Sequence, residues 1–190
     1  MDSNLAWREE PWEELIGGVP VAMSPRPRVD HNRISGNIYH LFRNYLKGKR
    51  CEAFPDGVDL YLTEQDRFIP DGMIVCDPDK VRIDGVHGAP DLVVEVLSPG
   101  TARYDRGRKK DVYEKSGVRE YWIVEPAGKS LEQYILTDGR LELREVYAIY
   151  PQWMLDKMKP QERESVATSF RCSLYDDLTI SLEDVFDRVT

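Results

Sequence analysis

No stretch of this chain approaches the roughly 20 consecutive apolar residues that a membrane-spanning helix requires. Its opening, Met1-Asp2-Ser3-Asn4, has neither the basic nor the apolar segment of a secretory leader, so a cytoplasmic protein that enters no membrane is expected. Cysteine is scarce as well. Cys51, Cys76 and Cys172 lie far apart, form no C-x-x-C pair and leave one over if two were bridged. Neither a disulfide framework nor a thiolate zinc site is therefore expected. Positive charge is in deficit, with 26 Lys and Arg against 34 Asp and Glu and a formal net charge of -8. That balance excludes a protein that coats nucleic acid through a broad basic surface, because neutralising phosphates needs clustered cations.

A local basic patch is compatible with this balance, and one is present. Arg103, Arg106, Arg108, Lys109 and Lys110 fall within eight residues, interrupted by one acid, Asp105. Such a run serves as well for a solvated helix face as for a polynucleotide contact. The 41% hydrophobic content and 190-residue length suffice for one well-filled core and are too small for two ordinary domains, so 1–190 reads as a single domain.

The pattern predicts an α/β fold, a mixed sheet flanked by helices. A short helix is expected around Glu13 to Ile16, then a Gly-Gly turn and a strand from Val19 to Met23. From Asp30, an N-cap candidate, Ile34, Ile38, Leu41, Phe42, Tyr45 and Leu46 recur at helical spacing. Val58 to Leu62 and Phe68 to Cys76 read as an antiparallel pair, and Asp138-Gly139 marks a hairpin between Ser130–Leu136 and Arg140–Tyr147. A strand at 91–97, a helix ending at Gly117 and a strand at 121–124 form a parallel crossover. Residues 151–166, polar and carrying Pro151 and Pro160, read as an excursion before a short C-terminal strand and a helix from Ser181.

One residue of this pattern requires a chemical explanation. In Asp91-Leu92-Val93-Val94-Glu95-Val96-Leu97, side chains alternate, so Glu95 shares a face with Val93 and Leu97 in a strand apolar on both sides. An ionised carboxylate buried there without a partner costs several kcal/mol, so it must be protonated, paired or bound to a cation. A hard divalent cation such as Mg²⁺ takes oxygen ligands, commonly one or two protein carboxylates with water completing the shell. Asp71 is the natural second carboxylate, since Pro70 and Gly72 beside it allow the backbone to bend and aim it. Pro-Asp also occurs at 55–56, 78–79 and 90–91, where it reads as turn chemistry; Asp91 fits a cap at the strand entrance.

Taken in order, Pro70-Asp71, then Glu95-Val96-Leu97 and the lysines on the following helix resemble the PD and (D/E)-x-K elements of PD-(D/E)XK nucleases. Closer still, the chain is similar to the Uma-type family of restriction-endonuclease-like proteins. The matching stretches are Glu14-Leu15-Ile16 with Gly18, His31, Gly88 through Pro99, the spacing of Asp105, Lys109 and Tyr113, and Gly117 through Val124. Residues 151–166 fall outside the likeness.

The resemblance implies a restriction-endonuclease-like core that hydrolyses phosphodiester bonds with Mg²⁺ or Mn²⁺. Asp71, Glu95 and the backbone carbonyl of Val96 would be the metal ligands. The strand position that should carry the catalytic Lys is Leu97. In the Uma-type pattern a lysine of the next helix takes its place, and the spacing to Tyr113 and Gly117 selects Lys109, on a different helix face from Lys110. The structural alternative is that Lys109 is one of many solvated lysines. His31, Glu14 and Tyr113 are accessory candidates, each with a structural alternative. Arg103, Arg106, Arg108 and Lys110 would hold nucleic acid, DNA first, and a cutter of two strands with one site per chain calls for a homodimer. A catalytically silent nuclease fold, kept as a binding module, is the competing expectation.

Overall fold

The computed structural model describes residues 13–22 and 28–190. The strands β1 (Glu13–Ile16) and β2 (Val19–Ala22) lead to the long helix α1 (Val29–Leu46). There follow β3 (Glu52–Pro55), β4 (Leu60–Thr63), β5 (Asp66–Phe68), β6 (Gly72–Val75), β7 (Val81–Arg82), β8 (Gly85–His87) and β9 (Leu92–Val96). A helical stretch comes next: α2 (Ala102–Tyr104), a π-helical turn over Asp105–Lys109, and α3 (Lys110–Ser116). The chain closes with β10 (Glu120–Glu125), β11 (Ser130–Thr137), β12 (Arg140–Ala148), α4 (Gln152–Leu155), α5 (Pro160–Glu164), β13 (Ser169–Arg171), β14 (Thr179–Ser181) and α6 (Leu182–Val185).

The expected single mixed sheet is two. The main one runs β12-β11-β10-β9-β6-β3, the second β2-β1-β5-β4-β8-β7, with β13-β14 a separate hairpin. The apolar run from Phe68 to Cys76 divides at Pro70-Asp71: proline cannot donate to a ladder, so Phe68 ends β5 in one sheet and Gly72 begins β6 in the other. The crossover is as expected, β10 lying parallel to β9 with Glu95 beside Ile123.

β9 is buried along its whole length and its alternation separates two cores. Leu92, Val94 and Val96 face α1 (Ile34, Ile38, Phe42) and the C-terminal Ile180 and Val185. Val93 and Leu97 face Tyr113, Tyr121 and residues of the second sheet, Leu60, Phe68 and Val86. Glu95, by its place in the strand, belongs to this second face.

Several local expectations change. Glu13–Ile16 is a strand, held by antiparallel pairing with both β2 and β5, so a four-residue helix loses to two ladders; Met23, the expected end of β2, lies outside the described residues. Asp30 is inside the first turn of α1, which begins after Arg28, because its carboxylate is engaged by Arg33 and Thr190. Cys51 and Cys76 form a disulfide, contrary to the expectation from their spacing. Antiparallel β3 and β6 pair Glu52 with Val75, which brings the two flanking cysteines together. Cys172 is buried and unbridged. Among the described residues no helix is long and apolar enough to cross a membrane.

Candidate active site

The pairing of β3, β6 and β9 brings carboxylates together. Pro55 lies opposite Gly72 and Gly72 opposite Val94. Asp56 and Asp71 lie one residue beyond the ends of these ladders, in a turn and a bend, where Asp71 feels the charge of both Asp56 and Glu95. Like charges so close disfavour one another's ionised forms. A fold selected for stability alone has no reason to gather three of them.

Asp71 is held at this strand end from several sides. Its Oδ2 accepts the Val96 N–H at 2.6 Å, and its Oδ1 lies 3.2 Å from His31 Nε2. The Ser35 hydroxyl donates to its backbone carbonyl at 2.9 Å. His31 and Ser35 belong to the first turns of α1, so the helix reaches the strand end that carries the acid. The His31 side chain is only 13% exposed, its Nδ1 is buried and has no partner, and the imidazole also approaches the Val96 carbonyl. Burial opposes charging of the ring, but the hydrogen bond and charge of Asp71, with Asp56 and that carbonyl, raise its pKa above the ordinary histidine value.

Lys109 is the centre of a second set of contacts. It is 2% exposed, and its Nζ lies 2.6 Å from Glu95 Oε1, 2.9 Å from Glu14 Oε1 and 3.4 Å from Asp105 Oδ1. The Tyr113 hydroxyl donates to Glu95 Oε1 at 2.6 Å. Glu14 Oε1 also accepts the Ile69 N–H at 3.0 Å, which joins β1 to the chain just before Pro70. Gly17 lets β1 and its turn approach the helix: φ is 58°, and a Cβ there would fall 1.5 Å from Arg108 Nη2.

The charges do not balance. Five carboxylates, those of Glu14, Asp56, Asp71, Glu95 and Asp105, surround two cationic side chains, Lys109 and His31. Burial pushes Glu95 well above the usual carboxylate range; Lys109 opposes the shift, while Asp105, Glu14 and Asp71 add to it. Asp105 is raised by burial against the same lysine, and Asp56 by burial and the charge of Asp71. Burial works against the Lys109 ammonium, yet Glu95, Glu14 and Asp105 hold its pKa well above the ordinary value. Lys109 thus keeps its proton, and the surrounding acids are left short of positive charge.

That shortage and the all-oxygen chemistry of Asp71, Glu95 and the Val96 carbonyl suit a hard cation. Among the described residues no three His, Cys, Asp or Glu side chains are clustered as a metal cage. These donors therefore fit an ion that keeps much of its water and do not fit a closed zinc site.

Of the residues singled out by sequence, Glu14, Glu95, Lys109 and Tyr113 meet directly, and Asp71, His31 and the Val96 backbone adjoin them. The basic residues do not. Arg106 makes a two-bond contact with Glu132 (3.0 and 2.7 Å), Lys110 lies 4.0 Å from Glu114 and over the Tyr134 ring, and Arg108 packs at Gly17. Arg103 is exposed. Asp91 holds the Cys76 N–H and Arg119 and stands outside the cluster. Sequence reasoning missed Asp56 and gave Asp105 no role; the i,i+4 spacing of Asp105 and Lys109 was the available signal. A groove of about 740 Å³ beside α3, lined by residues including Thr63, Asp66, Arg108, Asp111 and Lys115, takes in none of the clustered acids except by proximity of its helix.

A family model for Uma2, described as "Putative restriction endonuclease", matches residues 4–167. The chain belongs to the Uma2 family. An uncharacterized protein of Synechocystis sp. is 31% identical over 138 residues, covering 70% of this chain and 72% of its own length. A second uncharacterized protein of the same organism is 24% identical over 157 residues, 80% of this chain and 81% of that one. Among solved structures, one described as a "putative nuclease belonging to DUF820" from Anabaena variabilis superposes with a TM-score of 0.68 at 20% identity, over 93% of this chain and 90% of that chain. This last likeness establishes a shared fold. Within the Uma2 family match fall all five clustered acids, His31 and Lys109.

Proposed function

We propose that the chain is a cytoplasmic, single-domain, Mg²⁺- or Mn²⁺-dependent endonuclease that hydrolyses phosphodiester bonds of DNA. The observation that supports it most is the convergence of Asp71 and Glu95 where β6 meets β9, the Asp71 carboxylate holding the Val96 N–H next to Glu95, in a cluster with more buried carboxylates than cations. Asp71, Glu95 and the Val96 carbonyl would hold the metal. Bound there, Mg²⁺ supplies polarisation of a phosphoryl oxygen and a lowered pKa for a coordinated water.

The protein's own groups then divide the remaining work. Lys109, a retained ammonium, cannot take a proton from water, so its role is to balance charge that builds on the phosphorane oxygens and to orient the attacking water. Tyr113 fixes Glu95 Oε1 and leaves the carboxylate no freedom to swing toward Lys109's other partners. His31 holds Asp71 from the α1 side. Arg103, Arg106, Arg108 and Lys110 would contact the polynucleotide backbone, with Arg106 contributing less because Glu132 already engages it.

The test is cleavage of DNA and RNA substrates with Mg²⁺ or Mn²⁺, beside a Glu95→Gln control. Metal-dependent cutting lost in the control supports the reading; no cutting of any polynucleotide, with Mn²⁺ still bound, would move the site to a small phosphoester. Two observations favour a silent binding module instead: Lys109 is locked by three acids, and Leu97 replaces the strand lysine. Calorimetry separates the two, since a module without chemistry has no reason to hold Mn²⁺ through Asp71 and Glu95.

A further inference from the structure

The main sheet ends in an edge built to meet a copy of itself. β12 is nine residues long, and among the described residues nothing pairs with its outer side. Residues Glu142 through Val146 are all exposed, including two large apolar side chains, Leu143 at 51% and Val146 at 47%. An exposed, partly apolar edge of this length is a template for another strand, and natural proteins commonly blunt such edges.

Register shows what the edge presents. The two-residue hairpin pairs Thr137 with Arg140, and the ladder continues to Tyr134 opposite Leu143, then breaks by one residue so that Gln133 faces Glu145 and Glu132 faces Val146. Hydrogen bonding alternates along the ladder, so Leu141, Leu143 and Val146 turn their backbone N–H groups to the outer side. Side-chain caps agree with that direction: Leu141 N–H donates to Glu114 Oε2 at 2.7 Å and Val146 N–H to Glu145 Oε1 at 3.0 Å. The bulge has a second effect. In a regular strand residues three apart project to opposite faces, but the extra residue here brings Leu143 and Val146 onto one face, that of Tyr134 and Glu132.

We infer that β12 pairs antiparallel with β12 of a second copy about a two-fold axis between Arg144 and Glu145. This register opposes the two apolar residues to each other and the two charges of opposite sign to each other. Leu143 meets the partner's Val146 and Val146 the partner's Leu143, with outward backbone groups aligned for four hydrogen bonds. Arg144 meets the partner's Glu145 and Glu145 the partner's Arg144, so two ion pairs flank the axis. Glu145 releases the Val146 N–H to the partner's Leu143 carbonyl. Such an interface is isologous and closed, which gives a dimer and not a fibre. Glu114, capping Leu141, ends the pairing and fixes its length.

The geometry carries a consequence that rests on the proposed nuclease reading. Glu95, Ile123, Glu132 and Val146 form one row across β9, β10, β11 and β12, so each site's row meets the interface next to the axis. A two-fold axis perpendicular to the joined sheet keeps both sites on the same side of that sheet, turned relative to each other by its twist. Seven strand steps of roughly 4.8 Å separate the two Glu95 residues, about 34 Å along the sheet. That is close to one turn of duplex DNA.

Sedimentation velocity on the full chain tests the interface without reference to activity. The wild type is expected to be a dimer at micromolar concentration, and Arg144→Glu, which sets like charges against Glu145 of the partner, should weaken it at least about tenfold. Arg144→Glu with Glu145→Arg should restore it, because the swap re-creates both pairs. Circular dichroism confirms that each variant is folded. A monomeric wild type, an edge covered only when a different protein is added, or a dimer indifferent to Arg144→Glu would each overturn the assignment. If the dimer behaves as expected but no polynucleotide is cut, the nuclease reading fails and the interface stands; paired cuts spaced other than about one turn apart would overturn the separation of the two sites.

Discussion

Asp71 accepts a 2.6 Å hydrogen bond from the backbone N–H of Val96, so the acid that precedes one strand is clamped to the residue that follows the acid of the next. The two carboxylates of the site are thereby positioned by main chain as well as by side chains. Substitution of either acid should change the site's affinity for a cation more than it changes the sheet, because the ladders of β6 and β9 persist without it.

Glu95→Gln and Asp71→Asn are expected to weaken Mn²⁺ binding by at least about 100-fold, the upper end of what losing even an outer-shell contact costs. Isothermal titration reads this directly. Wild-type affinity in both variants would assign the metal elsewhere.

The same Glu95→Gln variant should alter the pH dependence of stability. Burial, countered by Lys109 and reinforced by Asp105, Glu14 and Asp71, raises the folded-state pKa of Glu95 above its unfolded value. The native state therefore binds this proton more tightly, and the stability it confers is full below the unfolded pKa and is lost as pH rises through the folded pKa. Metal-free wild type should lose melting temperature over that window, and Glu95→Gln should lose less. Parallel curves would mean that Glu95 ionises as easily as an exposed carboxylate.

Lys109→Ala should cost about 3–5 kcal/mol at neutral pH, since it strands three buried acids without their common cation. The deficit should shrink in acid as Glu95 and Asp105 take up protons. Denaturant melts at two pH values measure it, and a pH-independent loss would point to packing as the cause. Loss of turnover in this variant is informative only where the fold is shown to survive.

Reduction of the Cys51–Cys76 disulfide, or Cys76→Ser, should destabilise the chain by about 3.5 kcal/mol, the loop-entropy value for a 25-residue separation. Thermal melts with and without a dithiol test it. An unchanged melting temperature would show that the β3–β6 ladder already fixes these ends.

The main elements were legible because their signals are local. The alternation of residues 92–97 gave the faces of β9, and Asp138-Gly139 gave the hairpin, with φ of 49° and 79°. Helical spacing put Lys109 with Tyr113 and away from Lys110. What stayed hidden depends on register between distant strands. Nothing near Pro55-Asp56 distinguishes it from an ordinary turn until β3 is paired with β6, and the same pairing joins two cysteines that look unrelated along the chain. Glu14 illustrates a different limit: four residues beside a Gly-Gly turn carry too little pattern to separate helix from strand, and only the ladders to β2 and β5 decide it.

The π-helical turn at Asp105–Lys109 sets the phase of everything after it. Closing a turn with i to i+5 bonds accommodates one residue more than an α-helix would, and each residue in a helix is worth 100° of rotation. Lys109 points at Glu95 and Tyr113 packs beneath it only with that extra residue in place. Removal of Gly107, whose Cβ position meets no neighbour, would relax the turn to regular helix and carry Lys109 a quarter-turn or more around the axis, with no atom of the acid cluster altered. The aim of the lysine is thus written in a count of residues as much as in their chemistry, and a single-codon deletion can disarm the centre while leaving every one of its acids intact.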